Sequence, residues 1–170
     1  EAWVLAEQAP RNSTIIRKNT GVGSENFIMR FQEGGRVCFI IQTQANLAYT
    51  CVSVDPLELK RWHHVAGTYD ETIMRVFIDG HPAGALPVTG RLKNDHVKMV
   101  IGDGDRGARE SFFGELDEVR IWRVARRQEE IMVCITSSLT LPATGRSSRV
   151  ARWKRGDPSN GITNARISSG

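Results

Sequence analysis

The stretch Trp62–Asp70, WHHVAGTYD, and the stretch Phe77–Gly80, FIDG, decide the fold of this chain. Each combines β-branched and aromatic residues with turn-forming residues at its end. The Asp-Gly pair that closes the second stretch tolerates the positive φ angles of a tight hairpin turn. The pattern therefore predicts neighbouring antiparallel strands at His63–Tyr69 and Met74–Ile78.

Short segments of the same kind, separated by Gly, Asn, Asp and Pro, recur along the chain, which is typical of an antiparallel sandwich or barrel. Seven further strands are predicted, at Ala2–Glu7, Thr14–Lys18, Asn26–Gln32, Arg36–Thr43, Leu47–Ser53, Val97–Gly102 and Phe112–Trp122. The predicted fold class is all-β, a sandwich of two antiparallel sheets. One short helix is predicted at Arg126–Cys134, with Ile131 and Cys134 facing a sheet.

Composition limits the functions that are open to the chain. Its 170 residues and 19.0 kDa fit one compact domain, predicted at residues 1–135. The longest apolar runs, such as Val37–Ile41, are far shorter than the ~20 residues that span a bilayer. The sequence opens at Glu1 inside a strand-like segment, which indicates an excerpt of a longer protein.

The net charge of +4 and the pI near 9.3 raise the question of a polyanion partner. The basic residues concentrate in the Ser-, Thr- and Gly-rich stretch at residues 136–170, whereas the middle of the chain is mixed in sign. A basic tail is most often simply solvated, and no aromatic stacking module accompanies it. We therefore predict an extended or weakly ordered tail and no nucleic-acid partner.

The three cysteines, Cys38, Cys51 and Cys134, have no metal-ligand spacing. If a hairpin turns tightly near Gln44 and Ala45, Cys38 and Cys51 lie opposite each other on adjacent strands, close enough for a disulfide. The favoured alternative is two buried thiols in a sheet, because free cysteine is among the most buried residues.

Three segments together resemble the laminin-G-like and pentraxin-type sandwich domains. They are Glu1–Val4; Trp62–Asp70 with Phe77–Gly80; and Ile101–Gly102 with Phe113–Trp122 and the helical turn after it. The resemblance covers roughly residues 1–134 and implies a concanavalin A-like jelly roll, which occurs in lectin-like modules of secreted and cell-surface proteins. We expect Trp3, Trp62 and Trp122 to lie in the core, because structural tryptophans outnumber those that stack on ligands.

The resemblance fails at both ends of the chain. Domains of this family usually have a strand or two before the segment equivalent to Glu1–Val4. Conversely, Val150–Gly156 is similar to the opening strand of such a domain, with Lys154 and Arg155 where acidic residues are expected. Two interpretations stay open: the tail supplies a closing strand at the vacant position, or it begins a further module or is disordered.

Some glucanases that share this sandwich carry their acids at alternating positions of one strand. Glu115, Asp117 and Glu118 begin that pattern, but the next required acid would fall at Val119 or Arg120. The adjacent histidines at 63 and 64 point to opposite faces of a strand, which is poor geometry for one metal. The sequence therefore predicts that the chain is not an enzyme.

The resemblance to pentraxins also implies a Ca²⁺ site. Its ligands would be Glu25, Asn26, Asp103, Asp105 and Glu110, which match the positions of the acidic and amide ligands of pentraxins. Calcium takes 6–8 oxygens, which these side chains, loop carbonyls and water would supply. The alternative is a solvated turn, in which Arg106 and Arg109 neutralise the acids without an ion.

The predicted function is a non-catalytic recognition module that binds glycan or protein ligands, assisted by calcium, in an extracellular or cell-surface protein. The alternative is a structural or assembly domain without a small ligand. A concanavalin A-like glycoside hydrolase is the third and least favoured interpretation, because the acid pattern is incomplete.

Overall fold

The computed structural model describes residues 1–19, 25–104 and 110–140. Within these ranges the chain forms ten strands and one α-helix. The strands are β1 (Ala2–Gln8), β2 (Thr14–Asn19), β3 (Glu25–Phe31), β4 (Arg36–Gln42), β5 (Ala48–Pro56), β6 (Trp62–Tyr69), β7 (Ile73–Ile78), β8 (His81–Pro87), β9 (Met99–Ile101) and β10 (Phe113–Asp117), and the helix is α1 (Gln128–Thr140). Sheet A has the order β10-β1-β6-β7-β8 and sheet B the order β5-β4-β3-β2-β9, with all neighbours antiparallel. The predicted all-β sandwich is confirmed.

The predicted strands and helix are present, with four differences. Sequence reasoning missed β8, because the Pro and Gly residues in HPAGALP are typical of turns. The strand predicted at Val97–Gly102 shortens to β9, and the one predicted at Phe112–Trp122 ends at Asp117 because Glu118 has a φ of 48°. The helix begins at Gln128, two residues later than predicted, and continues to Thr140, so residues 136–140 are helical where an extended tail was predicted. Residues 141–170 of the predicted tail lie outside the described residues.

The core lies between the two sheets, where alternate residues of each strand face inward. Phe31 and Phe112 are fully buried and stack with ring centroids 6.3 Å apart at an interplanar angle of 18°. Val65 of β6 and Leu116 of β10 also belong to this core. Burying each such side chain contributes roughly 1.5–3 kcal/mol.

A second apolar cluster covers the outer face of sheet A. Ile131 and Ile135 of α1 pack there against Ala66 and Phe77, with Trp3 beside them. Phe77 is therefore buried beneath α1 on the outer face of sheet A and not between the two sheets. Residues that alternate with the core residues of sheet A point to its outer face. The apolar ones among them are covered there by α1.

The predicted core positions of the tryptophans are also wrong. Trp62 and Trp122 keep 37% and 36% of their surface exposed, and Trp3 is only partly buried. Since Val65 faces the inter-sheet core, the alternation of the strand places Trp62 on the outer face of sheet A.

The hairpin register separates the two cysteines that were considered for a disulfide. Cys38 pairs with Val52, and Cys51 pairs with Phe39, so the two thiols point to opposite faces of sheet B. Both thiols are free and buried, which confirms the alternative of two buried thiols. Burial raises the pKa of each.

The two lateral sides of the sandwich differ. On one side β8 closes onto β5, where a Cβ added to Gly84 would lie 2.3 Å from the carbonyl oxygen of Val52. On the other side are the short strands β9 and β10, of three and five residues. No helix in the described part of the chain is long and apolar enough to cross a membrane.

Candidate functional site

A concavity lies beside the end of β6, beyond the first residue of β1 that pairs with it. The pairing of these strands stops at Ala2 with Val65, whereas β6 continues to Tyr69 and pairs there with β7. On the other side, Glu1 and Arg120 exchange two backbone hydrogen bonds of 2.8 Å, beyond which the chain runs on to Arg126. Between the end of β6 and residues 120–126 lies a cavity of about 950 Å³, the open cleft.

The floor of the open cleft is apolar and belongs to sheet B. It consists of inward-facing side chains of Ile16, Phe27, Met29, Phe39 and Met99. Gly67 of β6 faces this floor closely, because a Cβ at that position would lie 2.6 Å from the ring of Phe39. The cleft is therefore part of the space between the two sheets, opened to solvent.

Polar groups surround the mouth of the cleft. They are the side chains of Lys18, Gln44, Glu71, Arg91, Asn94 and Arg123. The ammonium of Lys18 donates a hydrogen bond of 2.5 Å to Asn94 Oδ1. Arg91 and Arg123 are exposed and form no ion pair with any residue that the structure describes, so the mouth is predominantly cationic.

Trp122 stands at the mouth with about a third of its surface exposed. The guanidinium of Arg126 lies 4.1 Å from the centroid of its ring, a cation–π contact. Arg126 is in turn held by Glu130, whose backbone oxygen accepts a hydrogen bond of 2.8 Å from Nη2. These two contacts therefore hold the indole in place in the segment that precedes α1.

The inner end of the cleft contains buried charge. The carboxylate of Glu1 has a side-chain exposure of 2% and lies 3.8 Å from Arg120 Nη1 and 4.0 Å from His64 Nε2. Burial lowers the pKa of His64 to about 4, although Glu1 acts in the opposite direction, so His64 is neutral at pH 7. Both oxygens of Glu1, Thr68 Oγ1 and Arg126 Nε are buried without a hydrogen-bond partner in the described residues.

The residues predicted to bind calcium fall into two groups. Asp103 Oδ1 accepts hydrogen bonds of 2.9 Å from Gly104 N and Ser111 Oγ. Glu110 lies beside Gly104, because a Cβ added to Gly104 would be 2.1 Å from the Cβ of Glu110. Asp105, Arg106 and Arg109 lie outside the described residues.

The second group lies at the other end of β9. Glu25 pairs with Asn19, and Asn26 Oδ1 accepts a hydrogen bond of 2.7 Å from Asp95 N. Along β2 this end is separated from the Asp103 end by about four residues, or ~13 Å. Among the described residues, no three His, Cys, Asp or Glu side chains gather in a group that could hold a metal. A calcium site therefore stays a prediction, and its described ligands would be Asp103 and Glu110.

The carboxylates of β10 do not face the open cleft. Leu116 points into the core, so Glu115 and Asp117 lie on the outer face of sheet A, opposite Leu5 and Trp3 in register. Glu118 follows the end of the strand, and its carboxylate accepts a hydrogen bond of 2.9 Å from Arg120. The three acids do not line one cleft as the glucanase pattern requires.

Sequence reasoning missed the open cleft, Trp122 as an exposed residue, and the cations at the mouth. No local sequence pattern marks this cleft, because its position follows from the register of β1 against β6.

The two antiparallel five-stranded sheets define a jelly-roll β-sandwich of the concanavalin A-like type. The Laminin_G_3 family, described as Concanavalin A-like lectin/glucanases superfamily, matches residues 1–132. Since this is more than half of the sequence, the chain belongs to this family. No curated protein matches the chain.

Several solved structures share the fold. The heptameric SAP-like pentraxin from Limulus polyphemus has 21% identity and a TM-score of 0.60, over 79% of this chain and 67% of the pentraxin. A putative carbohydrate binding protein from Bacteroides ovatus has 23% identity and a TM-score of 0.61, over 77% of this chain and 38% of that protein. The binding domain of Paraclostridial Mosquitocidal Protein 1 has 12% identity and a TM-score of 0.63, over 82% and 36%. The chain therefore spans less than half of the last two, and the likeness shows the fold alone.

Proposed function

We propose that this chain is a non-catalytic carbohydrate-recognition module of an extracellular or cell-surface protein, and that it binds glycan at the mouth of the open cleft. The observation that carries the proposal is the exposed indole of Trp122, fixed by Arg126 beside a cavity of about 950 Å³. A cavity of this size falls in the range of ligand pockets. Aromatic rings offer sugars a flat apolar surface together with a polar edge.

The groups around Trp122 suit a sugar ligand. Asn94 and Gln44 each carry one amide with donors and an acceptor, and Arg91 and Arg123 present planar donor groups. Such groups hydrogen-bond sugar hydroxyls while the ring packs on the indole. The likeness of the fold to a protein described as a putative carbohydrate binding protein supports the same conclusion.

The arrangement of the carboxylates supports the absence of catalysis. A retaining glycosidase needs two carboxyl groups ~5–5.5 Å apart on either side of the scissile bond. The acids of β10 face away from the open cleft, and those that line it are Glu1, which is buried, and Glu71 at the mouth. The superfamily includes glucanases, so hydrolysis of a bound glycan is the outcome that would overturn this part of the proposal.

The test is glycan binding by the wild-type chain and by two tryptophan variants. Trp122→Ala removes the proposed stacking surface, whereas Trp62→Ala removes an equally exposed indole at a distance from the cleft. Loss of one aromatic contact costs about 0.5–1.5 kcal/mol, a roughly two- to tenfold loss of affinity. We expect this loss for Trp122→Ala only. Equal effects of the two substitutions, or no binding by the wild type across a glycan array, would contradict the proposal.

A further inference from the structure

The turn between β1 and β2 carries a motif that recognition at the open cleft does not use. Asn12, Ser13 and Thr14 form the pattern N-x-T, the acceptor for N-linked glycans, in which the middle residue is not proline. No other asparagine of the sequence is followed two positions later by Ser or Thr. Pro10 and Arg11, immediately before the motif, are exposed, so the turn lies at the surface.

Hydrogen bonds fix the backbone of this turn. The N–H of Asn12 donates to the backbone oxygen of Phe31 at 2.8 Å, and the N–H of Ser13 donates to that of Pro10 at 3.0 Å. Asn12 has a φ of 70°, a left-handed conformation that asparagine tolerates better than most residues. The backbone of Asn12 therefore has a structural role, and that role does not involve its side-chain amide.

The side-chain amide of Asn12 is available for attachment. The side chain is partly exposed, and its amide forms no hydrogen bond with any residue in the described ranges. A glycan on Nδ2 replaces one amide hydrogen and leaves the planar amide group in place. Attachment therefore breaks no hydrogen bond of the described chain, and the folded turn accommodates it.

The hydroxyl that completes the motif is inaccessible after folding. Thr14 is 2% exposed, and its Oγ1 donates a hydrogen bond of 3.0 Å to the backbone oxygen of Asn12. Ser13 is also buried, and its Oγ donates to the backbone oxygen of Ser111. An enzyme that reads the hydroxyl at position 14 cannot reach it in the folded chain, so the sugar must be transferred before β2 pairs with β3.

We propose that Asn12 is an N-glycosylation site and that it receives its glycan before the chain folds. The co-substrate is an oligosaccharide linked through its C1 atom to a polyprenyl diphosphate. Nδ2 of Asn12 forms a bond to C1, the bond between C1 and the diphosphate oxygen breaks, and the polyprenyl diphosphate leaves with the proton that Nδ2 loses. The site goes beyond recognition at the cleft, but it rests on the extracellular or cell-surface location in the proposed function, because secreted chains meet this donor.

The attached glycan lies away from the mouth of the open cleft. Thr14 begins β2, whereas Lys18, near the other end of the same strand, lines the mouth. Four residues of extended strand separate the two positions by about 13 Å. A glycan on the turn before Thr14 therefore leaves the mouth free for a ligand.

The first experiment expresses the full chain behind a secretion signal in eukaryotic cells and measures the intact mass of the secreted protein. We expect the added mass of one N-linked glycan, which peptide N-glycanase removes. Release of the glycan in heavy-oxygen water should leave a labelled aspartate at position 12. A secreted wild-type chain without a glycan would overturn the proposal.

Two substitutions at one position separate the motif from the fold. Thr14→Ser keeps a hydroxyl and should keep the glycan, whereas Thr14→Val keeps the shape of the side chain and should lose it. The positive control is Ala48→Thr, which creates a second acceptor at exposed Asn46 in the turn before β5. That chain should carry two glycans. Occupancy of Asn46 alone, or a glycan that persists in Thr14→Val, would contradict a site at Asn12.

The timing of the transfer is tested with purified oligosaccharyltransferase and a lipid-linked donor. The acceptors are the folded chain and a synthetic peptide of residues 8–18, which presents the same motif without the sandwich. We expect transfer to the peptide to be about tenfold faster or more, because transfer to the folded chain requires local opening of the turn. Equal rates for the two acceptors would show that folding does not hide the motif and would overturn the proposed order of events.

The outcomes distinguish this site from the proposed function. Binding to the glycan array is measured with Thr14→Val, which carries no glycan of its own. If this chain binds glycans in a Trp122-dependent manner and the secreted wild type carries no N-linked glycan, the glycosylation site fails and the recognition proposal stands. If Asn12 carries a glycan and the array shows no binding, the reverse holds.

Discussion

His63 and Asp79 form a short polar contact at the end of the sandwich, with 2.7 Å between Nδ1 and Oδ2. The other oxygen of the same carboxylate accepts a hydrogen bond of 2.8 Å from the backbone N–H of His64. Asp79 has a φ of 51° in the tight turn before β8, so one residue both forms the turn and ties it to β6.

Substitution of Asp79 by Ala should destabilise the chain. It removes two hydrogen bonds to a charged acceptor and leaves a polar group of buried His63 without a partner, at a cost of about 1–3 kcal/mol. The urea midpoint of unfolding measures the loss. The control is Asp55→Ala, an exposed carboxylate on β5, which should change the midpoint little. Equal midpoints for the two variants would show that the contact is not stabilising.

The buried position of His64 predicts a loss of stability in mild acid. Its pKa is about 4 in the folded chain, against 6.5 for an ordinary histidine, so the unfolded chain takes up the proton first. The free energy of unfolding should therefore decrease as the pH falls from 6.5 to about 4, with no further contribution from this group below that range. The difference between the two pKa values corresponds to about 3 kcal/mol.

Removal of the imidazole tests this assignment. His64→Leu should flatten the pH dependence between 6.5 and 4 in urea unfolding, because no proton-binding group remains at this position. His81→Leu is the control, since His81 is exposed at the start of β8. An unchanged slope in His64→Leu would assign the effect to other groups.

Gly67 of sheet A and Phe39 of sheet B approach each other closely. This predicts that the effects of substitutions at these two positions on the free energy of unfolding are not additive. A Cβ at position 67 would lie 2.6 Å from the Phe39 ring, so Gly67→Ala overpacks the core at a cost of about 1–3 kcal/mol. Phe39→Leu makes room, and the double variant should lose less stability than the sum of the single ones. Simple additivity in this double-mutant cycle would contradict a direct contact.

How much of the fold the sequence predicts depends on how local the signal is. Long strands rich in apolar and aromatic residues and bounded by turn residues, such as β4 and β6, were predicted closely. In contrast, alternation shows that Trp62 and Val65 lie on opposite faces but not which face meets the other sheet. That choice depends on α1, which covers one face of sheet A.

Register is the other quantity that local patterns do not determine. In the observed hairpin Gln42 pairs with Ala48, and Cys38 therefore lies opposite Val52. If the centre of the turn lay half a residue earlier in the chain, Cys38 would lie opposite Cys51. The open cleft likewise depends on where β1 pairs with β6, so its lining was not predicted. The acidic loop was predicted from a resemblance, and the structure places Asp103 and Glu110 near each other but Asn26 elsewhere.

Calcium should stabilise the folded chain by binding at the Asp103 end of β9. At 100 times the dissociation constant, one bound ion stabilises the folded chain by about 2.7 kcal/mol, a shift of roughly 5–11 °C in the thermal midpoint. Asp103→Asn should abolish the difference between calcium and chelator, because it removes a carboxylate that would face the ion. Glu25→Gln should preserve that difference, since Glu25 pairs with Asn19 at the far end. A midpoint that does not respond to calcium would leave this loop a solvated turn, and a response lost only in Glu25→Gln would place the ion beside Asn26.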